Sequence, residues 1–169
     1  MLSKNQSKLL RALAQKKYRK QHQQYLVQGE KNILELLDAG LKVVHLFATT
    51  EFLSAHSAKL AGVTCTETDS DSLSKVSTLV SNNAAIAIVP FPESAEVDTS
   101  GIVLALDGVS DPGNLGTIIR LADWYGLNQV VVSEDCADHL NPKVISATMD
   151  SFVHIDVVRC DLPEFLASY

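Results

Sequence analysis

Residues 106–116 read Leu-Asp-Gly-Val-Ser-Asp-Pro-Gly-Asn-Leu-Gly, between an apolar run and an apolar-periodic segment. Three glycines and a proline in so short a stretch put backbone geometry ahead of side-chain bulk. Gly108 and Gly113 have the spacing of a Walker A loop, but the Lys and Ser/Thr that must follow are Asn114 and Leu115. Without that lysine nothing meets the β- and γ-phosphates, and without the hydroxyl magnesium has no ligand, which excludes a nucleotide hydrolase. Gly108, Gly113 and Gly116 also miss the dinucleotide-binding pattern G-x-G-x-x-G. Two polar side chains remain. Asn114 stands at the entrance of the following segment, where its amide can cap a helix or bind a ligand. Arg120 lies one turn beyond Gly116, whose missing side chain leaves the approach to the guanidinium open. Arg120 is the only Arg or Lys between Lys75 and Lys143, and a lone guanidinium beside a glycine-rich turn suits phosphate. A salt bridge to Asp107 or Asp123 is the plainer reading of the same residue, and plain turn chemistry that of the loop.

The elements that must position these residues follow from periodicity. SKLLRALAQKKYRKQ predicts one basic helix with Leu9, Leu10 and Leu13 on its apolar side. YLVQG, KVVHLFA, VTCTET and AAIAIVP read as strands; EKNILELLDAG, EFLSAHSAKLAG and SDSLSKVS read as helices, with Gly40 and Gly62 as stops. Alternation over residues 25–90 predicts a small α/β domain with helices packed on a sheet. PFPESAEVDTS is the best linker in the chain, placing domains at 1–92 and 101–169 with a linker at 93–100. The second region repeats β-α units. GIVLAL, QVVVSE and FVHIDVVR are its strands, and NLGTIIRLADWYG, stopped by Gly126, and NPKVISATMDS its helices; DLPEFLASY begins another. Three such units predict an open parallel sheet with the 106–116 loop at its carboxyl edge, where ligands gather in this architecture.

Charge is distributed unevenly. Residues 1–29 hold seven basic residues and no acid, whereas the other 140 hold 7 basic and 20 acidic ones, a net −13. A basic segment at one end can supply an electrostatic footprint for nucleic acid, or serve only as a solvated helix. No apolar run approaches the ~18 residues of a membrane helix, and MLSKNQSKLL lacks a signal peptide's apolar core, so a cytoplasmic protein with no membrane association is expected. Cys65, Cys136 and Cys160 are far apart and odd in number, and His45 and His154 read as strand residues; neither a disulfide framework nor a metal site is expected.

DGVSDPGNLGTIIRLADWYGL resembles the first signature motif of the SpoU family of RNA ribose 2′-O-methyltransferases, within the SPOUT superfamily. KKYRKQHQQYLVQGEKNILELL resembles the substrate-binding domain that often precedes the catalytic domain there, with a fold like certain RNA-binding ribosomal proteins, and NPKVISATMDSFVHIDVV resembles the family's next helix and strand. The resemblance implies a ribosomal-protein-like α/β/α domain followed by the first β-α units of a knotted parallel-sheet domain. It implies S-adenosylmethionine as cofactor, ribosomal or transfer RNA as partner, and a homodimer. By position, Asn114 and Arg120 match the family's active-site Asn and Arg. Lys16, Lys17, Arg19, Lys20, Gln28 and Lys143 form the implied RNA-facing set. Arginine stays protonated at working pH, so phosphate gripping and orientation suit Arg120 better than the role of base. The sequence departs from the family's pattern at Gln28, commonly Glu, at Ser146, usually Arg, and at Asp150, often Gly. The motifs that form the knot and most of the cofactor pocket would lie after Tyr169, so a chain lacking that portion and unable to hold the cofactor well alone is expected. A non-catalytic RNA-binding protein on the same scaffold is the alternative.

Overall fold

Ser3 opens the first helix in the computed structural model, which describes residues Met1–Tyr169. Its Oγ accepts from the Gln6 amide at 3.1 Å while Gln6 Oε1 accepts from the Ser3 amide at 2.9 Å, a reciprocal cap that starts α1 (Lys4–Leu13). The predicted single helix breaks at Gln15, and α2 (Lys16–His22) follows, ending at Gln23 with φ +52°. The break has a visible cause. The Arg19 guanidinium folds back to donate to the Leu13 carbonyl at 3.1 Å, satisfying an orphan acceptor at the end of α1.

The chain divides into two compact units, Met1–Phe91 with Leu140–Pro142, and Pro92–His139 with Lys143–Tyr169. The first is built on β1 (Gln24–Gln28), β2 (His45–Ala48), β3 (Cys65–Glu67) and β4 (Ala85–Pro90), in the order β1-β4-β2-β3. β4 is antiparallel to both neighbours, pairing Ile88 with Leu26 and with His45, and only β2 and β3 are parallel. Its AIAIV run is buried throughout, as a central strand requires. Leu10 and Leu13 pack with Leu26, Phe47, Ile86 and Ile88 on one face, joined by Leu73 and Val76 from α5 (Ser70–Val76). Side chains alternate across a strand, so α3 (Glu30–Asp38), with Ile33 and Leu36 fully buried, covers the other face. Each such side chain contributes ~1.5–3 kcal/mol of transfer free energy. The short α4 (Thr50–Ala55) follows β2 and is capped by Thr49.

In the second unit β5 (Leu104–Leu106), β6 (Gln129–Val132) and β7 (Asp156–Arg159) run parallel in sequential order. β5 uses only half of GIVLAL; Ile102 is exposed. Right-handed crossovers put α6 (Pro112–Trp124) and α7 (Pro142–Ala147) on one face. There Leu115, Ile119, Ala122 and Val144 meet Leu106, Val130, Val132 and Ile155. α7 is shorter than predicted, because Met149 and Asp150 turn left-handed, with φ +48° and +76°. A 3₁₀ turn over Ser151–Val153 follows, so His154 precedes β7 instead of lying in it. A positive φ favours glycine, which explains why the related pattern often has one where this chain has Asp150. Asp161 caps α8 (Leu162–Ser168), its Oδ1 accepting from the Glu164 amide.

Gly116 is buried, contrary to the expectation that it clears a path to Arg120. A Cβ there would lie 2.5 Å from Ala147 Cβ and 2.7 Å from the Val144 carbonyl oxygen, so its role is to let α6 and α7 approach backbone to backbone.

Candidate functional site

The 106–116 loop lies where the parallel sheet ends. Gly108, at φ +65°, donates its amide to Ser133 Oγ at 2.9 Å, and the Val109 amide donates to Cys136 Sγ at 3.3 Å. The Ala137 amide returns a bond to the Val109 carbonyl at 2.9 Å, so the loops after β5 and β6 are stitched side by side. Asp111 then caps α6, its Oδ2 accepting from the Asn114 amide at 2.8 Å, with Pro112 in the first turn. Because Asp111 performs the capping, the Asn114 carboxamide is not needed for it and stands exposed.

Arg120 is exposed on the same helix, about 9 Å further along the axis at 1.5 Å per residue. At 100° per residue Thr117 falls midway in azimuth between Asn114 and Arg120, and its Oγ1 donates to the Gly113 carbonyl at 2.9 Å. Asn114, Thr117 and Arg120 therefore form one polar, exposed face. The salt bridge from Arg120 to Asp123 does not form: Asp123 is held by His154, Nδ1 to Oδ2 at 3.0 Å. Burial alone would raise the Asp123 carboxyl, but hydrogen bonds from His154 and Ser151 outweigh it and hold the group below its usual range. Neither Asp107 nor any other carboxylate pairs with Arg120, so its guanidinium remains available for an anion.

The implied RNA-facing set divides. Lys16, Lys17 and Lys20 are exposed on α2, and Lys143 is exposed on the first turn of α7. Arg19 is a correction: at 1% exposure its guanidinium braces α1 against α2 and does not reach the surface. Gln28 is another. It is 3% exposed, with Oε1 accepting from the Thr78 amide at 2.9 Å and from Ser77 Oγ, while Nε2 donates to Thr78 Oγ1 at 3.0 Å. It fixes the loop after α5 and presents nothing to a ligand.

Sequence reading missed a cationic cleft of about 540 Å³ between α1 and α2, lined by Lys4, Ser7, Lys8, Arg11 and Tyr18. Its signal was present, since Lys4, Lys8 and Arg11 stand at i, i+4 and i+7. Lys17 Nζ sits 5.7 Å from the centroid of the Tyr18 ring, which lines this cleft, so a further cation lies beside it. A second cleft of the same unit, about 630 Å³, is lined by Glu51, Glu67 and Asp69 and would repel a polyanion.

These features define a two-unit α/β protein: a mixed sheet carrying a cationic helical pair, and a parallel sheet with an exposed, unpaired arginine on the helix at its carboxyl edge. Residues 101–169 match the model of the SpoU rRNA Methylase family, and residues 4–87 match that of the MRM3-like substrate binding domain. The 23S rRNA (guanosine(2553)-2′-O)-methyltransferase RlmP of Bacillus subtilis is 33% identical over 165 residues, which is 97% of this chain and 66% of that protein. The mitochondrial rRNA methyltransferase 3 of Xenopus tropicalis is 28% identical over 92% of this chain and 40% of its own. Among solved structures, a TrmH-family protein from Porphyromonas gingivalis superposes with TM-score 0.84 and 32% identity, over 99% of this chain and 67% of that one. An AdoMet-bound rRNA methyltransferase from Sinorhizobium meliloti gives TM-score 0.84 and 27% identity, over 99% of this chain and 66% of that one. The chain belongs to the SpoU (TrmH-type) methylase family. It spans just under two thirds of the Bacillus protein and two fifths of the mitochondrial one.

Proposed function

We propose that this chain supplies the RNA-binding domain (1–92), the linker (93–100) and the first part of the catalytic domain (101–169) of an rRNA ribose 2′-O-methyltransferase. The observation that carries the reading is the exposed face of α6, where Asn114 is relieved of capping by Asp111 and Arg120 is relieved of ion pairing by His154. A ribose hydroxyl is a weak nucleophile, so much of the rate must come from holding it against an electrophilic methyl. Arg120 grips an adjacent phosphate and the Asn114 carboxamide orients the ribose. Both are fixed on a rigid helix, which limits their wander. The cleft between α1 and α2, with Lys16, Lys17 and Lys20 around it, tracks the RNA backbone.

S-adenosylmethionine is the proposed donor, as in the Sinorhizobium relative, and supplies the methyl on a sulfonium. The edge of the parallel sheet does not by itself fit that group. The carbonyls of Ser133, Glu134, Cys136 and Ala137 are occupied by Arg159 and the amides of Gly108 and Val109 by neighbouring side chains, so these backbone groups are not open to a nucleoside. The residues shown here serve the RNA side of the reaction.

Relatives named for rRNA favour ribosomal over transfer RNA. Leu121, Trp124 and Tyr125 expose an apolar patch at the end of α6, for which a second copy of the protein is the inferred occupant. A monomer on sedimentation of the intact protein would be the result against it. Three free cysteines suit a reducing compartment such as the cytoplasm, and no helix is long and apolar enough to cross a membrane. The decisive experiment is methyl transfer from labelled donor to rRNA by the intact protein. Arg120→Ala should lower it by about 100-fold while leaving the fold unchanged. Undiminished activity would remove Arg120 from the mechanism, and RNA binding with no donor binding in calorimetry would favour a non-catalytic protein.

A further inference from the structure

Arg159, the last residue of β7, stands outside the signature loop and yet beneath it. Its Nη1 donates to the carbonyls of Ser133, Glu134 and Cys136 at 2.8, 2.9 and 3.1 Å, and its Nη2 to the Ala137 carbonyl at 2.7 Å. Four backbone carbonyls of one short loop thus converge on one guanidinium. Converging carbonyl dipoles repel, and in a half-buried place their desolvation is costly, so the loop holds this path only while the cation is there.

The same loop grips the signature turn. Ser133 Oγ accepts from Gly108, Cys136 Sγ accepts from Val109, and Ala137 donates to the Val109 carbonyl. Ser133 Oγ also donates to Asp135 Oδ1, which fixes the hydroxyl rotor with its lone pairs toward Gly108. Gly108 and Val109 lead directly to the Asp111 cap and Asn114.

We infer that Arg159 is a positioning residue for methyl transfer: by templating the loop 133–137 it sets the place of the 107–111 turn and of Asn114 behind it. The inference rests on the methyl-transfer reading above. Lysine does not replace it, because a compact ammonium lacks the planar fork that reaches carbonyls spread over five residues.

The test uses the intact protein with Arg159→Met and Arg159→Lys, read in two ways. In hydrogen exchange the Gly108, Val109 and Ala137 amides should lose protection by about tenfold or more in both variants, as local opening becomes easier. In methyl transfer to rRNA kcat should fall by about 100-fold in Arg159→Met with KM for RNA changed by less than about twofold, the signature of lost orientation. Ser133→Ala, which cuts the Gly108 link and leaves the four carbonyl bonds intact, should lower kcat in the same direction and keeps the test open if Arg159→Met does not fold. Unchanged amide protection overturns the inference, as does a rise in KM at constant kcat, or full recovery of kcat with lysine. A wild-type protein inert toward donor and RNA overturns the methyl-transfer reading and the catalytic half of this inference, while the exchange experiment still decides whether Arg159 shapes the turn.

Discussion

His139 carries an imidazole whose Nδ1 is buried without a hydrogen-bond partner, and burial lowers its pKa to about 4, with the Asp138 charge opposing and the Arg159 charge assisting. Between pH 6.5 and about 4 the unfolded chain therefore takes up a proton that the folded chain refuses. Stability falls as pH drops through that window, at up to ~1.4 kcal/mol per pH unit. His45, also lowered by burial, adds to the same slope, so the difference between wild type and His139→Gln isolates the first. Urea midpoints measured across the window should show a shallower slope in His139→Gln; identical slopes would place the imidazole in water. The residue scale is also where sequence reading divides most sharply. That Asn114 and Arg120 would stand on the helix leaving the turn was legible, because a turn motif names its own polar neighbours. Arg19, Gln28 and Arg159 were not, because their roles depend on which carbonyls and amides the fold gathers around them, and those come from residues up to 50 positions away.

Helices α6 and α7 make the case at the scale of elements. The sequence located α6, whose Leu115, Ile119 and Ala122 are buried, but it could not tell whether Gly116 faced a ligand or another backbone. Alanine there would gain ~1 kcal/mol of helix propensity. It would also press a methyl to 2.7 Å from the Val144 carbonyl oxygen, which belongs to a backbone that cannot step aside, and overpacking of this kind costs ~1–3 kcal/mol. The second effect should prevail, and Gly116→Ala should lower the urea midpoint; a higher midpoint would show that the helices have room. The broken N-terminal helix fits the same lesson. Periodicity found both buried leucines of α1, whereas the break at Gln15 goes with a side-chain bond from Arg19 back to the Leu13 carbonyl.

At the scale of the whole molecule the uneven charge acquires a location, since Lys4, Lys8 and Arg11 line one cleft in a protein of net charge −6. Binding there is governed by counterion release, so replacing Lys4 and Lys8 by Gln should weaken rRNA binding across sequences and flatten the dependence of log Kd on log salt by about one unit for each phosphate no longer neutralised. An unaltered salt slope would move the RNA to another face. Strand alternation, likewise, correctly announced two α/β regions but not the mixed pairing of the first, because β4 takes its place between β1 and β2 only through long-range registry. That placement sets an order in time. β1 and β2 are bridged only by β4, so the first sheet cannot be completed before residues 85–90 join positions some sixty residues back. Loop closure over such a span is slow, whereas β5, β6 and β7 pair in the order in which they are made. The basic helix α1 packs against Ile86 and Ile88 of β4, so the docking of the chain's most cationic segment waits on the element made last in its sheet.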